Sequence, residues 1–183
     1  MVSEKKKDVI NCCLDCFIDN GLTKTTTKDL STALNLQNGG VYYYFNTKTE
    51  IVISCAEEAI NRLENRVFNL AFEKIADIGN MIKVLEELAD ELSPIMKFLV
   101  SVCVSKEYGD KIKPALIKLA DRYLVYSEKF AKALNCKLED VKPLVYLSIL
   151  AINNYMIFSE KALFEPQIEL VKTALLKLKN GEE

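Results

Sequence analysis

The 183-residue sequence contains no histidine. That absence removes imidazole general acid–base catalysis, Ser–His and Cys–His nucleophile pairs, and every imidazole metal site. Glycine and proline are scarce, at six and four residues, and they fall between stretches of helical periodicity. Long helices with short joints are the expectation. Strand-type alternation is hard to find, so the expected fold is all-α. No run reaches the ~18 uncharged apolar residues that a membrane helix needs. Leu144–Phe158 comes nearest, and it carries Ser148, Asn153 and Asn154. The opening Met-Val-Ser-Glu-Lys-Lys-Lys-Asp lacks an apolar core followed by a small-residue cleavage site. A cytoplasmic location without a membrane partner is therefore expected.

Half of the residues are apolar and 27% are charged, a balance suited to a folded domain with a sizeable core. The six cysteines are Cys12, Cys13, Cys16, Cys55, Cys103 and Cys136. In such a chain they read as free thiols rather than a disulfide framework. Cys13-Leu-Asp-Cys16 has the spacing of a redox or zinc half-site, but no second pair accompanies it and no glycine or proline flanks it. It lies within a helical pattern, where Cys12, Cys13 and Cys16 serve as small apolar residues. No catalytic residue, metal or cofactor is expected, and the chain does not read as an enzyme.

Val9, Ile10, Cys13, Phe17 and Ile18 recur at three and four, predicting a helix over about Lys6–Asn20 that Gly21 closes. Thr26 and Asp29 form a capping box for a short helix over about Thr27–Leu34. Asn35-Leu36-Gln37 makes a tight connection, since Asn tolerates a left-handed backbone. A second short helix then spans about Asn38–Phe45. Thr47-Lys48-Thr49-Glu50 opens a long helix to about Phe72. Five further helices are expected at about Asp77–Glu91, Pro94–Ser105, Asp110–Leu134, Leu138–Lys161 and Glu165–Lys179. The division that follows is a three-helix helix-turn-helix domain over residues 1–47 and a helical effector-binding and dimerisation domain over 48–183.

In such a unit the second short helix enters the major groove. Thr25, Thr26 and Thr27 bring hydroxyls to a helix start, and Lys24, Lys28 and Lys48 flank the unit. Between Gly21 and Lys48 the only acid is Asp29. Gly39 and Gly40 each cost a helix ~1 kcal/mol relative to Ala, which suits a backbone that approaches something closely. Thr26, Thr27, Tyr43 and Lys48 are candidates for phosphate contacts. Lys28, Gln37, Asn38, Gly39, Gly40, Tyr42 and Tyr44 complete the candidate DNA-contacting set. Residues 1–50 nevertheless hold six lysines and six acids, so affinity must rest on local placement rather than a strong field.

Residues Val9 to Ile51 resemble the DNA-binding domain of the tetracycline-repressor (TetR) family. That family's helix, Gly plus apolar residue, paired Thr/Ser and G-x-L-Y-x-H-F-x-x-K pattern are met by Gly21-Leu22, Thr26-Thr27, and Gly39-Gly40-Val41-Tyr42-Tyr43-Tyr44-Phe45 with Lys48. Tyr44 stands where the family has His, Asn35 for the turn glycine, and Gln37 for the capping Ser. Cys12 and Cys13 replace two alanines. The resemblance implies a transcription regulator, expected to be a repressor, that binds a palindromic double-stranded DNA operator as a homodimer; the apolar segment 77–160 with its isolated polar groups predicts release by a small, largely apolar effector. For the effector the candidates are Phe98, Ser101, Tyr123, Tyr126, Asn153 and Asn154, a few polar groups in apolar surroundings. For the dimer they are Ile168, Val171, Leu175 and Leu178, an apolar seam beside Leu144–Phe158. The long helix that starts at Thr47 would act as a lever between effector and operator. The alternative is a helical small-molecule-binding or interaction dimer without a DNA-binding role, which the neutral N-terminal charge favours.

Overall fold

The computed structural model of the chain describes residues 2–73 and 78–181. Among these residues the α-helices are α1 Val2–Asn20, α2 Thr27–Ala33, α3 Lys48–Glu73, α4 Ile78–Cys103, α5 Gly109–Leu134, α6 Leu138–Phe158 and α7 Glu165–Asn180. Single 3-10 turns occur at Gly40–Tyr43 and Lys161–Leu163. Among the described residues there is no strand, and the chain is all-α. Asp77, the expected start of the first of the five further helices, lies outside the described residues.

The joints follow from local chemistry. Gly21 ends α1 in a left-handed backbone (φ 85°), and its N–H donates to Phe17 O at 2.9 Å. The capping box at α2 is complete: Thr26 Oγ1 accepts from Asp29 N, and Asp29 Oδ2 accepts from Thr26 N at 2.8 Å. Asn35 takes the left-handed region at φ 53°, the tolerance for which Asn suits a turn. At α3 the box is shifted by one residue. Thr47 Oγ1 accepts from Glu50 N, while Glu50 Oε2 accepts from Asn46 N at 2.8 Å.

Three elements differ from the sequence reading. Helix α1 begins at Val2, because the Glu4–Lys7 run consists of good helix formers that nothing interrupts. The second short helix is only a 3-10 turn. Most informative is Pro94, expected to separate two helices, which lies inside a continuous α4. Leu85, Leu88, Leu92, Leu99 and Val102 form one buried stripe across it at spacings of three, four and seven. Burial along that stripe outweighs the local cost of proline. Ser93, beside it, donates its hydroxyl to Met156 O at 2.6 Å.

The chain forms two compact units. One comprises the residues up to Arg62 with Lys97–Leu116, the other Leu63–Met96 with the residues from Ile117 onward. In the first, Phe17, Leu14, Leu30, Val41, Phe45 and Ile51 are fully buried, and Phe17 stacks on Phe98 at 5.8 Å. Cys13 and Cys55 belong to this core. Burial, followed by neighbouring thiols, pushes the Cys13 thiol up to about 12, and burial likewise raises Cys55. Such thiols are packing residues, because nucleophilic cysteines need a lowered pKa.

In the second unit α6 and α7 pack together, and Tyr155 stacks on Phe164 at 5.0 Å. Here the expected dimer seam is corrected. Ile168, Val171 and Leu175 are 2%, 1% and 5% exposed within a single chain. They face their own subunit's core, and only Leu178 remains half-exposed. Periodicity identified an apolar stripe correctly but not which partner covers it.

The caps generate a pH dependence. Hydrogen bonds from Thr26 backbone and side chain hold Asp29 below the ordinary carboxylate range, and the Asn46 backbone N–H does the same for Glu50. A depressed folded-state pKa gives stability that is present above about pH 4 and lost as pH falls through the folded value. Thermal stability should therefore fall on acidification below about pH 4, with a shallower acid dependence in the Asp29→Asn/Glu50→Gln double variant. At neutral pH, Thr26→Ala should cost about 1 kcal/mol by removal of the cap.

Candidate nucleic-acid interface

The segment Leu34–Asn46 carries the exposed candidates on a tightly fixed backbone. Leu36 N donates to Ser31 O at 2.8 Å, and Gly40 N donates to Gln37 O at 2.8 Å. Ser31, 1% exposed, is the pivot: its hydroxyl donates to Thr27 O at 2.9 Å and accepts from Val41 N at 3.4 Å. This joins α2 to the 3-10 turn. Its role was not apparent in the sequence, where a serine in mid-helix is an ordinary residue.

The two glycines have separate reasons. Gly39 has φ 81°, a backbone that side-chain-bearing residues rarely adopt. At Gly40 an added Cβ would lie 2.7 Å from Leu36 Cβ. The close approach inferred from the sequence is thus made within the protein, against Leu36.

Held in this way, Gln37 and Asn38 are exposed, as are Tyr42 at 45% and Tyr43 at 87%. Tyr44 is half-buried, with the Tyr43 ring set edge-on at 5.2 Å. Lys28 and Lys24 also project into solvent. Gln37 and Asn38 offer paired donors and acceptors, and the tyrosines offer hydroxyls on rigid stems. That set can read base edges and hold phosphates.

Other candidates are partly committed. Thr25 is fully buried, and its hydroxyl donates to Gly21 O at 2.8 Å. Thr26 is exposed, but its hydroxyl donates to Asp29 at 2.7 Å, while Thr27 is half-buried. Lys48 donates to Thr25 O at 2.7 Å, which leaves two of its N–H groups for another acceptor. Lys6 is engaged within the first unit. It lies 3.4 Å from Glu50 Oε1 and 4.9 Å from the centre of the Phe45 ring.

The six effector candidates are divided between the two units. Phe98 is core in the first unit, and Ser101 donates to Phe98 O at 2.6 Å. In the second unit the buried carboxylate of Glu64 pairs with Arg122 and accepts from Tyr126 OH at 3.1 Å. Tyr123 is pushed up to about 12, first by burial and then by the Glu64 charge, and its ring meets Tyr146 at 6.1 Å. Asn153 and Asn154 are half-exposed on α6.

Residues 13–55 match the family model described as bacterial regulatory proteins, tetR family. No curated protein sequence matches the chain significantly. Solved structures share the fold over nearly the whole length. One, described as a TetR-family transcriptional regulator from Mesorhizobium loti, is 18% identical with a TM-score of 0.63, covering 96% of each chain. A second, the multidrug binding protein EbrR complexed with imidazole, is 12% identical with a TM-score of 0.64, covering 93% of this chain and 94% of that one. A third, BioQ with its double-stranded DNA operator, is 14% identical with a TM-score of 0.53, covering 93% and 96%.

The geometry at Gly40 has a measurable consequence. Gly40→Ala should destabilise the first unit, because Leu36 must move away from the new methyl group. A loss of about 1–3 kcal/mol is expected for such overpacking. Leu36→Ala in the same chain should restore part of it, a coupling that a double-mutant cycle by chemical denaturation would detect.

Proposed function

We propose that the chain is a DNA-binding transcription regulator of the TetR type, acting as a homodimer on a palindromic operator. A small-molecule effector releases it from that operator. The observation that carries this reading is the exposed set Gln37, Asn38, Tyr42 and Tyr43 beside Lys28, held on the Ser31–Val41 and Gly40–Leu36 contacts. Phosphate contacts come from Lys48, Thr27 and Tyr43, while Gln37, Asn38 and Tyr42 face base edges. Lys48→Ala should weaken binding to all duplexes alike and lower the salt slope by roughly one unit. Gln37→Ala should relax preference at one base position by about 1–3 kcal/mol. A random-site selection at low salt that yields no preferred sequence would favour the interaction dimer without a DNA role instead.

The dimer rests on the outer face of α6. Pro143, Leu147, Leu150, Asn154 and Ile157 follow one another at four, three, four and three residues, opposite the buried Val141, Ile152 and Met156. By length and composition α6 could cross a membrane, and only 28% of its most apolar stretch is buried in the single chain. Leu150, Phe158 and, on α7, Leu170 are 57%, 63% and 61% exposed. A second copy covering this face removes that surface from water. Asn154 sits within the stripe, where a polar residue helps to fix register. Two-fold symmetry then dictates a repeated half-site. Light scattering at micromolar concentration should show a dimer for the wild type and a monomer for Leu150→Glu/Leu170→Glu. A dimer that survives both changes would refute this interface.

A further inference from the structure

The first compact unit contains a hollow of about 490 Å³, within the size range of small-molecule sites. Its apolar wall is Leu22, Val104 and the ring of Tyr108, and four hydroxyl-bearing residues, Thr23, Ser101, Ser105 and Tyr108, border it. Two opposite charges line it as well, Lys48 and Glu107. They form no ion pair with each other or with any other described residue. Lys48 instead holds Thr25 O, and Glu107 accepts from Thr49 Oγ1 at 3.3 Å and interacts with the Tyr108 hydroxyl, which burial and then the Glu107 charge hold protonated.

The turn that presents Glu107 is built tightly. Ser105 Oγ accepts from Glu107 N at 3.2 Å, and Gly109 N donates to Ser105 O at 2.9 Å. A Cβ on Gly109 would lie 2.5 Å from Cys103 O, so this turn has little freedom to carry Glu107 across to Lys48. A cation and an anion kept apart on the wall of one hollow complement a ligand that brings both charges. The apolar wall and the volume leave space for a hydrocarbon or aromatic group beside them.

We propose that this hollow binds a free α-amino acid with an apolar side chain, its carboxylate on Lys48, its ammonium on Glu107 and its side chain against Leu22 and Val104. Ser101, an effector candidate from the sequence, thereby acquires a site within the first unit. The regulatory consequence rests on the DNA-binding reading. The carboxylate takes the Lys48 N–H groups that would otherwise reach a phosphate, so ligand and duplex compete for one ammonium. Reciprocity then requires that duplex weaken the ligand by the same factor.

Calorimetric titration of the full-length protein with L-phenylalanine and L-leucine tests the site without DNA. Saturable binding of one molecule per chain is expected for at least one of the two. N-acetyl-L-phenylalanine and L-phenylalanine amide, each lacking one charge, should bind at least tenfold more weakly. Glu107→Gln keeps the oxygen that faces Thr49 and should lower affinity at least tenfold. Ser101→Leu should abolish binding by filling the hollow, and it strands no partner, since its hydroxyl bonds only Phe98 O. Circular dichroism establishes that both variants fold. Failure of both amino acids to bind overturns the proposal, as does binding that is indifferent to both variants or to loss of either charge. In a second arm, L-phenylalanine at saturation should weaken binding of a random-sequence duplex at low salt in the wild type and not in Glu107→Gln. Amino-acid binding with unchanged duplex affinity would support the site and overturn the competition for Lys48. Absence of any duplex binding would overturn the DNA reading alone.

Discussion

The contact between Lys48 and Thr25 O at 2.7 Å fixes the start of α3 to the loop before α2. An ammonium on a carbonyl is a charge-assisted hydrogen bond, stronger than a neutral one, and it joins residues 23 positions apart in sequence. Around it the other constraints fall into place. Thr25 is buried, Thr26 caps α2, and Glu50 turns back to Asn46. Ser31 then fastens the 3-10 turn to α2, and Gly40 settles on Leu36. Each step leaves the next segment fewer conformations, until Gln37, Asn38, Tyr42 and Tyr43 project from a backbone with little left to order on binding. Preorganisation of this kind reduces the entropic cost of association.

Much of this was legible in the sequence because it is local. Gly21, Thr26 with Asp29, Asn35, and Thr47 with Glu50 act within four residues, so spacing alone reveals them. What escaped was tertiary. Pro94 carries a strong local stop signal, yet the buried leucine stripe runs through it. On α7, Ile168, Val171 and Leu175 lie nearly opposite Leu170, and both faces hold apolar residues. A periodic pattern gives the direction of a stripe but not whether its cover is the same chain or a second one. Ser31 and Leu36 escaped for a similar reason, since their importance comes from what touches them.

The cysteines and the missing histidine bear on the same question from the chemical side. Burial raises the Cys13 and Cys55 thiols, opposite to the shift a nucleophile or metal ligand requires. The Cys13–Cys16 spacing is therefore a feature of helical packing, with Phe17 beside it in the core. The distinctive polar chemistry of the first unit lies instead on its surface and around the Lys48–Glu107 hollow.

The even balance of six lysines and six acids over the first fifty residues has a kinetic side. Two of those acids, Asp29 and Glu50, are spent on helix starts, but their charge still offsets the lysines at a distance. A surface with so weak a far field draws little on long-range steering, and its encounters approach the ordinary rate of about 10⁵–10⁶ M⁻¹s⁻¹ for unsteered docking. Binding to arbitrary stretches of a polyanion is correspondingly brief, so fewer copies of the protein are held away from their target. Discrimination then comes from a short-range fit reached after contact, while each phosphate contact still answers to ionic strength.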